Sequence, residues 1–327
     1  MRAIVIEEQG GPEVMRPVEV ADPEPGPGQV SVDLEASGVN FIDIYQRSGA
    51  YAVPTPFTPG LEGAGTVRAV GSGVDDLTVG QRVAWAQQPG SYAERAVVSA
   101  ERAVPVPDGV SAEVAAAVML QGLTAHYLTH STYPVQPGDT VLVHAAAGGT
   151  GLLLTQLAKL RGGRVIATVS TEEKERLARG AGADEVIRYA AGEMEQPPDV
   201  AAVARELTGG TGVAAAYDGV GANTFDASLD SLRPRGVLAL FGQSSGPVPP
   251  VDPQRLNSAG SVYLTRPSLV HHVSERDEYR DRASDVLGLV GTGKLDVRIG
   301  ARYPLADAAR AHEDLASRRT TGKLLLT

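Results

Sequence analysis

The segment 140–160 constrains the fold of this chain more than any other part of its sequence. An apolar run at 141–143 leads into a turn of small residues at 145–151, after which leucines recur at helical spacing. A strand, a tight turn and a helix in this order point free backbone N–H groups and the positive helix end toward a pyrophosphate. The segment therefore predicts a dinucleotide-binding turn.

Two glycines carry this prediction. We expect Gly148 to let the backbone approach the phosphates and Gly151 to let the helix pack closely on the strand. Ala145 or Ala146 takes the first position, where glycine is usual, so the turn reads AxxGxxG. Glycine-rich turns also serve plain packing, so support for the assignment has to come from the next strand.

The end of the second predicted strand, 164–169, indicates which dinucleotide binds. NAD-binding folds place an acidic residue here for the ribose 2′-OH, whereas this strand ends in the neutral pair Ser170 and Thr171. Ser170 and Glu173 have the spacing of a capping box, which assigns Glu173 to the helix start. Lys174 alone would be read as a solvated lysine, but beside a neutral strand end it favours a 2′-phosphate. The sequence therefore predicts NADPH rather than NADH.

Composition and charge exclude several classes of protein. The chain has 327 residues, enough for two domains, and 43% of them are hydrophobic, which suits an α/β enzyme. A net charge of −10 argues against a nucleic-acid partner, which would need a basic stripe. No apolar run approaches the roughly 18–20 residues of a membrane span, and the N-terminus lacks the apolar core of a signal peptide. We expect a cytoplasmic protein.

The absence of cysteine excludes disulfides and any zinc site with thiolate ligands. The chain has six histidines, and their spacing shows no metal-binding motif. His126 and His130 lie four residues apart on a predicted helix, but without acidic ligands nearby we interpret them as structural. The sequence predicts no bound metal.

The predicted elements divide the chain into two kinds of domain. Up to about residue 120 the pattern is short strands and turns, with alternate apolar residues at 30–36, followed by a helical pattern from Ser111 to about His130. Strands and helices then alternate, which predicts parallel pairing and a doubly wound sheet. The predicted strands of this part are 141–143, 164–169, 185–189, 213–218, 236–241 and 262–265. A final strand at 322–326 is expected to return to the first domain.

Over essentially its full length the chain resembles the zinc-free quinone oxidoreductases, the ζ-crystallin-like group of the medium-chain dehydrogenase/reductase superfamily. The motifs that carry the resemblance lie at 11–14, 39–49, 59–65, 144–151, 217–221, 241–246, 265–268 and 317–318. The resemblance implies an α/β fold with two domains. A Rossmann domain with a doubly wound parallel sheet would span 123–266, and a GroES-like, mostly β catalytic domain would combine 1–122 with 267–327.

One departure from the superfamily bears on the chemistry. Its zinc alcohol dehydrogenases carry Gly-His-Glu, whereas this chain reads Gly60, Leu61 and Glu62 and contains no cysteine. The zinc ion that would polarise an alcohol or aldehyde oxygen therefore has no ligands in this sequence. Quinones and enones are already electron-poor and accept hydride without such help, so their reduction is favoured over alcohol oxidation.

The resemblance also implies roles for individual residues. Pyrophosphate contacts would come from Ala147, Gly148, Gly149 and Thr150. The 2′-phosphate and adenosine would be held by Ser170, Lys174, Tyr189 and Arg318. The nicotinamide half would be lined by Thr124, Val220, Phe241 and Ser244. The catalytic pocket for the acceptor, in a cleft between the domains, would be walled by Asn40, Asp43, Tyr45 and Tyr51. Asp43 has an alternative role as a helix cap, and both tyrosines have one as packing residues.

The function implied by the resemblance is NADPH-dependent reduction of quinones. Reduction of α,β-unsaturated ketones or aldehydes is an alternative, because the same pocket would serve it. A crystallin-like or RNA-binding protein that merely holds NADPH is a further alternative, although the acidic charge disfavours RNA. The family also implies a homodimer, with 262–265 as an edge strand able to pair across a two-fold axis.

Overall fold

Two units make up the structure, a computed structural model that describes residues 1–189 and 198–327. The first unit combines Met1–Leu123 with His272–Thr327, and the second unit is Thr124–His271. The sequence placed the corresponding boundaries after residues 122 and 266. The chain therefore leaves the first unit, completes the second and returns.

The amino-terminal part of the first unit is mostly β. Its elements are β1 (Arg2–Val5), β2 (Arg16–Glu19), β3 (Gln29–Val39), α1 (Phe41–Arg47), β4 (Glu62–Val70), β5 (Arg82–Ala86), β6 (Arg95–Ser99), β7 (Val104–Pro105) and α2 (Ala112–Tyr127). Strand β3 pairs antiparallel with β4 and β6, and β4 pairs antiparallel with β5. Val30 and Val32 point into the core, as their alternation predicts.

The second unit alternates strands and helices. After a π-helical turn at Leu128–Thr132, its elements are β8 (Thr140–Val143), α3 (Gly149–Leu160), β9 (Arg164–Val169), α4 (Glu172–Gly180), β10 (Glu185–Arg188), α5 (Val200–Leu207), β11 (Val213–Asp218), α6 (Phe225–Asp230), β12 (Leu232–Leu240), α7 (Pro253–Ser258), β13 (Tyr263–Thr265) and α8 (Leu269–His272). The strands pair in parallel in the order β10-β9-β8-β11-β12-β13. The predicted doubly wound parallel sheet is confirmed.

The strand order contains a switch point between β8 and β11. From β8 the chain moves outward through β9 and β10, then crosses to β11 and continues outward through β12 and β13. In doubly wound folds the helices of the two halves lie on opposite faces of the sheet, which leaves a crevice at the carboxyl ends of the two strands at the switch point, here β8 and β11. Ligands of doubly wound folds bind at this crevice.

The carboxyl-terminal part returns to the first unit. Its elements are α9 (Arg276–Gly291), β14 (Ile299–Tyr303), α10 (Ala308–Ala316) and β15 (Lys323–Leu326). Strand β15 pairs antiparallel with β3, which confirms the predicted return, and β14 pairs in parallel with β15. Within residues 1–189 and 198–327, no helix has both the length and the apolar character to cross a membrane.

Candidate active site

The turn after β8 has the geometry predicted for a phosphate-binding turn. Gly148 caps α3, which begins at Gly149, and the turn is closed by a hydrogen bond of 2.9 Å from Gly148 N to Ala145 O. The N–H groups of the first helical turn, Gly149, Thr150 and Gly151, have no acceptor within the helix. Together with the positive end of α3, they form a site suited to an anion.

Contacts around the two glycines separate their roles. A Cβ atom on Gly151 would lie 2.4 Å from Ala145 O and 2.7 Å from Ala146 Cα, so a side chain does not fit. Gly151 therefore lets α3 pack on the turn, as predicted. A Cβ on Gly148 would meet one atom within 4 Å, Ala145 O at 3.3 Å, which leaves the rest of its surroundings open. Gly148 thus keeps the approach to the turn clear.

The residues after β9 carry a hydroxyl and an ammonium group side by side. Thr171 caps α4 by accepting a hydrogen bond from Lys174 N at 3.2 Å. The predicted capping box at Ser170 and Glu173 is therefore wrong, because α4 begins one residue later, at Glu172. The Ser170 hydroxyl instead accepts a hydrogen bond of 3.3 Å from Lys174 Nζ, and burial lowers the pKa of Lys174.

The other two residues expected around the adenosine lie in different units. Tyr189 follows β10, where its N–H donates to Val169 O at 3.0 Å, and 39% of the residue is exposed. It thus stands at the same end of the sheet as the residues that follow β9. Arg318 belongs to the first unit, just after α10, and has a positive φ of 57°.

A buried carboxylate organises the turn after β11. Asp218 Oδ1 accepts hydrogen bonds from Val220 N at 2.8 Å and Gly221 N at 3.0 Å, and Oδ2 accepts one from Ser228 Oγ at 2.7 Å. Thr224 Oγ1 donates to the same carboxylate. Asp218 was not among the predicted site residues, although an acidic residue at the end of an apolar strand is a sequence signal for such a role.

This turn contacts the turn after β12. Phe241 N donates to Asp218 O at 2.8 Å, and Ser244 N donates to Gly219 O at 3.3 Å. The Phe241 ring lies so close to Gly219 that a Cβ there would be 2.8 Å from it. The structure therefore brings Val220, Phe241 and Ser244 together at the carboxyl ends of β11 and β12. Thr124, the fourth residue expected near the nicotinamide, is buried on α2 at the start of the second unit.

In the first unit, the side chain of Asn40 is enclosed by protein groups. Its Nδ2 donates to Glu62 Oε1 at 2.6 Å, and its Oδ1 accepts hydrogen bonds from Lys323 Nζ at 2.7 Å and Gln121 Nε2 at 3.3 Å. Lys323 Nζ also pairs with Glu62, and their side chains are 1% and 0% exposed. We call Asn40, Glu62 and Lys323 the buried ion-pair cluster. Neither Glu62 nor Lys323 was predicted as a site residue, because the two lie 261 residues apart and no local pattern indicates their contact.

Asp43 is fully buried and caps the helix in which it lies. Its Oδ2 accepts hydrogen bonds from Asn40 N at 2.8 Å and from the Tyr92 hydroxyl at 3.0 Å. Burial raises the pKa of Asp43 to about 7, against the opposing effects of these hydrogen bonds and of Lys323. The geometry is that of the helix-capping role considered as its alternative.

Two of the predicted pocket residues form an aromatic pair. The ring centroids of Tyr45 and Tyr51 lie 5.1 Å apart at an interplanar angle of 57°, and Tyr51 N donates to Tyr45 O at 3.0 Å. Phe41 extends the group, with its centroid 6.2 Å from that of Tyr45. Both tyrosines are half-buried. They combine ring faces with hydroxyl groups, which suits an aromatic ligand bearing oxygen atoms.

The described residues show no metal site. Within 1–189 and 198–327, no group of three or more His, Cys, Asp or Glu side chains is placed to hold a metal ion. Glu62, next to Leu61 in the position of the zinc motif, is instead engaged by Lys323, Asn40 and Leu120 N.

Two family models match this chain, one to each of two successive segments. Residues 26–108 match the alcohol dehydrogenase GroES-like domain, and residues 149–287 match the zinc-binding dehydrogenase domain. A quinone oxidoreductase from Pseudomonas aeruginosa is 47% identical, over 97% of this chain and 96% of its own length. A 2-haloacrylate reductase from a Burkholderia species is 41% identical, over 99% of this chain and 98% of its own length.

Two solved structures of NADPH complexes are similar to this chain over its whole length. Mycobacterial Rv1454c, solved in complex with NADPH, is 55% identical, with a TM-score of 0.95 and 100% of this chain and 99% of that chain covered. The Escherichia coli quinone oxidoreductase in complex with NADPH is 42% identical, with the same TM-score and the same coverage.

Proposed function

Because the chain belongs to the quinone oxidoreductases of the medium-chain dehydrogenase/reductase superfamily, we propose that it is an NADPH-dependent quinone reductase. The observation that carries the proposal is the phosphate-binding turn after β8 together with Lys174 and Ser170 after β9. Full-length similarity to quinone oxidoreductases, one of them solved with NADPH, supports it.

The residues at the carboxyl end of the second unit's sheet fit NADPH. A pyrophosphate would be held by Ala147, Gly148, Gly149 and Thr150. Gly148 leaves the approach to these residues open, and Gly151, where a side chain does not fit, keeps α3 packed against the turn. The 2′-phosphate and adenosine would be held by Ser170, Lys174, Tyr189 and Arg318, and the nicotinamide half by Thr124, Val220, Phe241 and Ser244. When bound, NADPH supplies the hydride for the reduction.

We assign the acceptor to the face of α1 that carries Tyr45, with Tyr51 beside it. Their rings offer an apolar surface, and their hydroxyls can donate hydrogen bonds to the oxygens of a quinone. The side-chain amide of Asn40 and the Oδ2 atom of Asp43 are engaged by protein partners, so we assign these two residues to holding α1 in place. Catalysis then consists mainly of orientation, without a strong acid or base.

Reduction of an electron-poor C=C bond is the second candidate, favoured by the similarity to a 2-haloacrylate reductase. This reaction needs a proton delivered to carbon, and Tyr51 is our candidate donor. We expect Tyr51→Phe to lose enone turnover and keep quinone turnover. If the wild-type protein reduces no enone or haloacrylate, the second candidate is removed.

The primary test is a fluorescence titration of the wild-type protein with NADPH and NADH, followed by turnover on a panel of quinones. We expect tighter binding of NADPH, and oxidation of NADPH that depends on the quinone. Equal affinities would overturn the cofactor assignment. Tight binding of NADPH without turnover of any acceptor would overturn the enzyme assignment and favour a protein that only holds NADPH.

We also propose a homodimer formed along β13. This strand is the last in the second unit's sheet, and its Tyr263 is 62% exposed. Pairing with the same strand of a second copy would cover its unpaired backbone groups. Light scattering is expected to give the mass of a dimer, and a monomer at micromolar concentration would contradict the proposal.

A further inference from the structure

A chain of hydrogen bonds crosses the core of the first unit and ends on Asp43, one of the residues assigned to holding α1 in place. Arg47 Nη1 lies 3.1 Å from His312 Nδ1, His312 Nε2 lies 3.0 Å from the Tyr92 hydroxyl, and this hydroxyl lies 3.0 Å from Asp43 Oδ2. Arg47 is 6% exposed and the other three residues are fully buried. We call these four residues the α1 clamp.

Chemistry fixes the direction of every hydrogen bond in the α1 clamp. The guanidinium of Arg47 can only donate, so His312 Nδ1 accepts and the ring carries its hydrogen on Nε2. Nε2–H then donates to the oxygen of Tyr92, whose own O–H donates to Asp43 Oδ2. Burial and the charge of Arg47 lower the pKa of His312 to about 3, which agrees with a neutral ring.

The two ends of the clamp lie on one helix. Asp43 and Arg47 are four residues apart on α1, a spacing at which a carboxylate and a guanidinium ordinarily pair directly. Here Tyr92, from the segment before β6, and His312, from α10, connect them. The Tyr92 and His312 rings also meet edge to face, with centroids 5.7 Å apart. The clamp therefore joins segments far apart in sequence to one face of α1.

The opposite face of α1 carries Phe41 and Tyr45. At 100° per residue, these two positions lie about 180° around the helix axis from Asp43 and Arg47. A rotation of α1 would therefore move Tyr45 away from Tyr51 at the same time as it broke the clamp. Directed hydrogen bonds specify one rotation of a helix, whereas apolar contacts tolerate several.

We propose that Tyr92 and His312 are positioning residues for acceptor binding: through Asp43 and Arg47 they fix the rotation of α1 and so the placement of Tyr45 against Tyr51. This inference rests on the proposed function, in which the two tyrosines contact the acceptor. Neither Tyr92 nor His312 touches the acceptor in this arrangement. Their effect is therefore expected in the KM for the acceptor rather than in the binding of NADPH, whose proposed contacts apart from Arg318 lie in the second unit.

The test compares Tyr92→Phe, His312→Leu and the double variant with wild type. Each single change interrupts the same chain of hydrogen bonds, so we expect each to raise the acceptor KM about tenfold. A misplacement of 1 Å can lower enzymatic efficiency roughly hundredfold, and the expected effect lies within that range. The double variant should be no worse than the stronger single variant. We expect kcat to change less than about twofold and the Kd for NADPH to stay unchanged.

Tyr303→Phe is the matched control. The Tyr303 hydroxyl donates to Asp314 Oδ2 on α10 at 2.8 Å, so this change also removes a tyrosine–aspartate hydrogen bond in the same core. It should lower the melting temperature without changing the acceptor KM. His312→Gln keeps a hydrogen-bond donor and an acceptor, and we expect its acceptor KM to lie between those of wild type and His312→Leu. If His312→Leu does not fold, Tyr92→Phe still decides the question, because it removes both hydrogen bonds of the Tyr92 hydroxyl.

The possible outcomes separate this inference from the proposed function. Unchanged acceptor KM in Tyr92→Phe and His312→Leu, with circular dichroism and NADPH binding like wild type, would overturn the inference alone. An equal rise of KM in Tyr303→Phe would also overturn it, because general loosening of the core would then explain the effect. Absence of quinone turnover in the wild-type protein would overturn the proposed function and this inference together.

Discussion

In the second unit the proposed phosphate site is made of backbone, whereas in the first unit the tyrosine pair is backed by buried side chains. The turn after β8 uses N–H groups and glycines that are adjacent in sequence. Behind α1, the buried ion-pair cluster and the α1 clamp use charged and polar residues drawn from distant segments. Changes around a binding site made of backbone N–H groups should mainly weaken ligand binding. Changes in a buried network of polar side chains should first lower the free energy of unfolding.

The largest effect should come from Lys323→Met, which leaves Glu62 charged and buried without its cation. We expect a loss of about 3–5 kcal/mol in the free energy of unfolding, measured by urea denaturation. Lys159→Met is the control, because the ion pair of Lys159 with Asp184 is partly exposed, with 34% of each side chain accessible to solvent. Such an ion pair should contribute less than about 1 kcal/mol to the free energy of unfolding. Equal losses in the two variants would contradict the contrast between the regions.

Asp43→Asn should change how stability depends on pH. Burial raises the pKa of Asp43 from 3.8 to about 7, so its contribution to stability is complete below about pH 4 and is lost as the pH rises to 7. Wild type should therefore lose on the order of 4 kcal/mol, relative to the variant, between pH 4 and pH 8. His312, whose lowered pKa acts in the opposite direction, is common to both proteins. Parallel pH profiles in urea denaturation would show that Asp43 does not titrate in this way.

Gly151→Ala tests the turn after β8 by the same measurement, the free energy of unfolding in urea. The added Cβ would meet backbone atoms at 2.4 and 2.7 Å, so we expect about 3 kcal/mol of destabilisation, the upper end for overpacking. Gly148→Ala is the matched variant, because its nearest contact would be 3.3 Å. It should retain most of the stability and weaken NADPH binding. Equal stability of the two variants would contradict the division of roles between the glycines.

The smallest effect is expected from Lys174→Ala, which removes a charged partner of the proposed 2′-phosphate. The Kd for NADPH should rise about ten- to hundredfold, corresponding to about 1.5–3 kcal/mol, with little change for NADH. Fluorescence titration measures both values. Arg176→Ala, an exposed arginine two residues along α4, is the control for a general loss of positive charge. A similar loss of affinity for both dinucleotides would contradict recognition of the 2′-phosphate by Lys174.

Much of the second unit could be predicted because its signals are local. The strand at 164–169 has its predicted bounds, and the glycine at 151 has its predicted packing role. The capping box at Ser170 was wrong by one residue, since Ser170 and Thr171 both resemble caps and tertiary context chose between them. Asp218 was missed because its partners follow it in a turn whose conformation the sequence pattern does not specify.

The sequence by itself determined the alternation of strands and helices, the glycine turn after β8 and the neutral end of β9, because each depends on neighbouring residues. The tertiary structure decided which polar residues are buried together. Arg47, His312, Tyr92 and Asp43 meet because β15 returns to β3 and places α10 beside α1. Side chains separated by hundreds of residues carry no periodic signal of their contact, so the direction of their hydrogen bonds follows only from the fold.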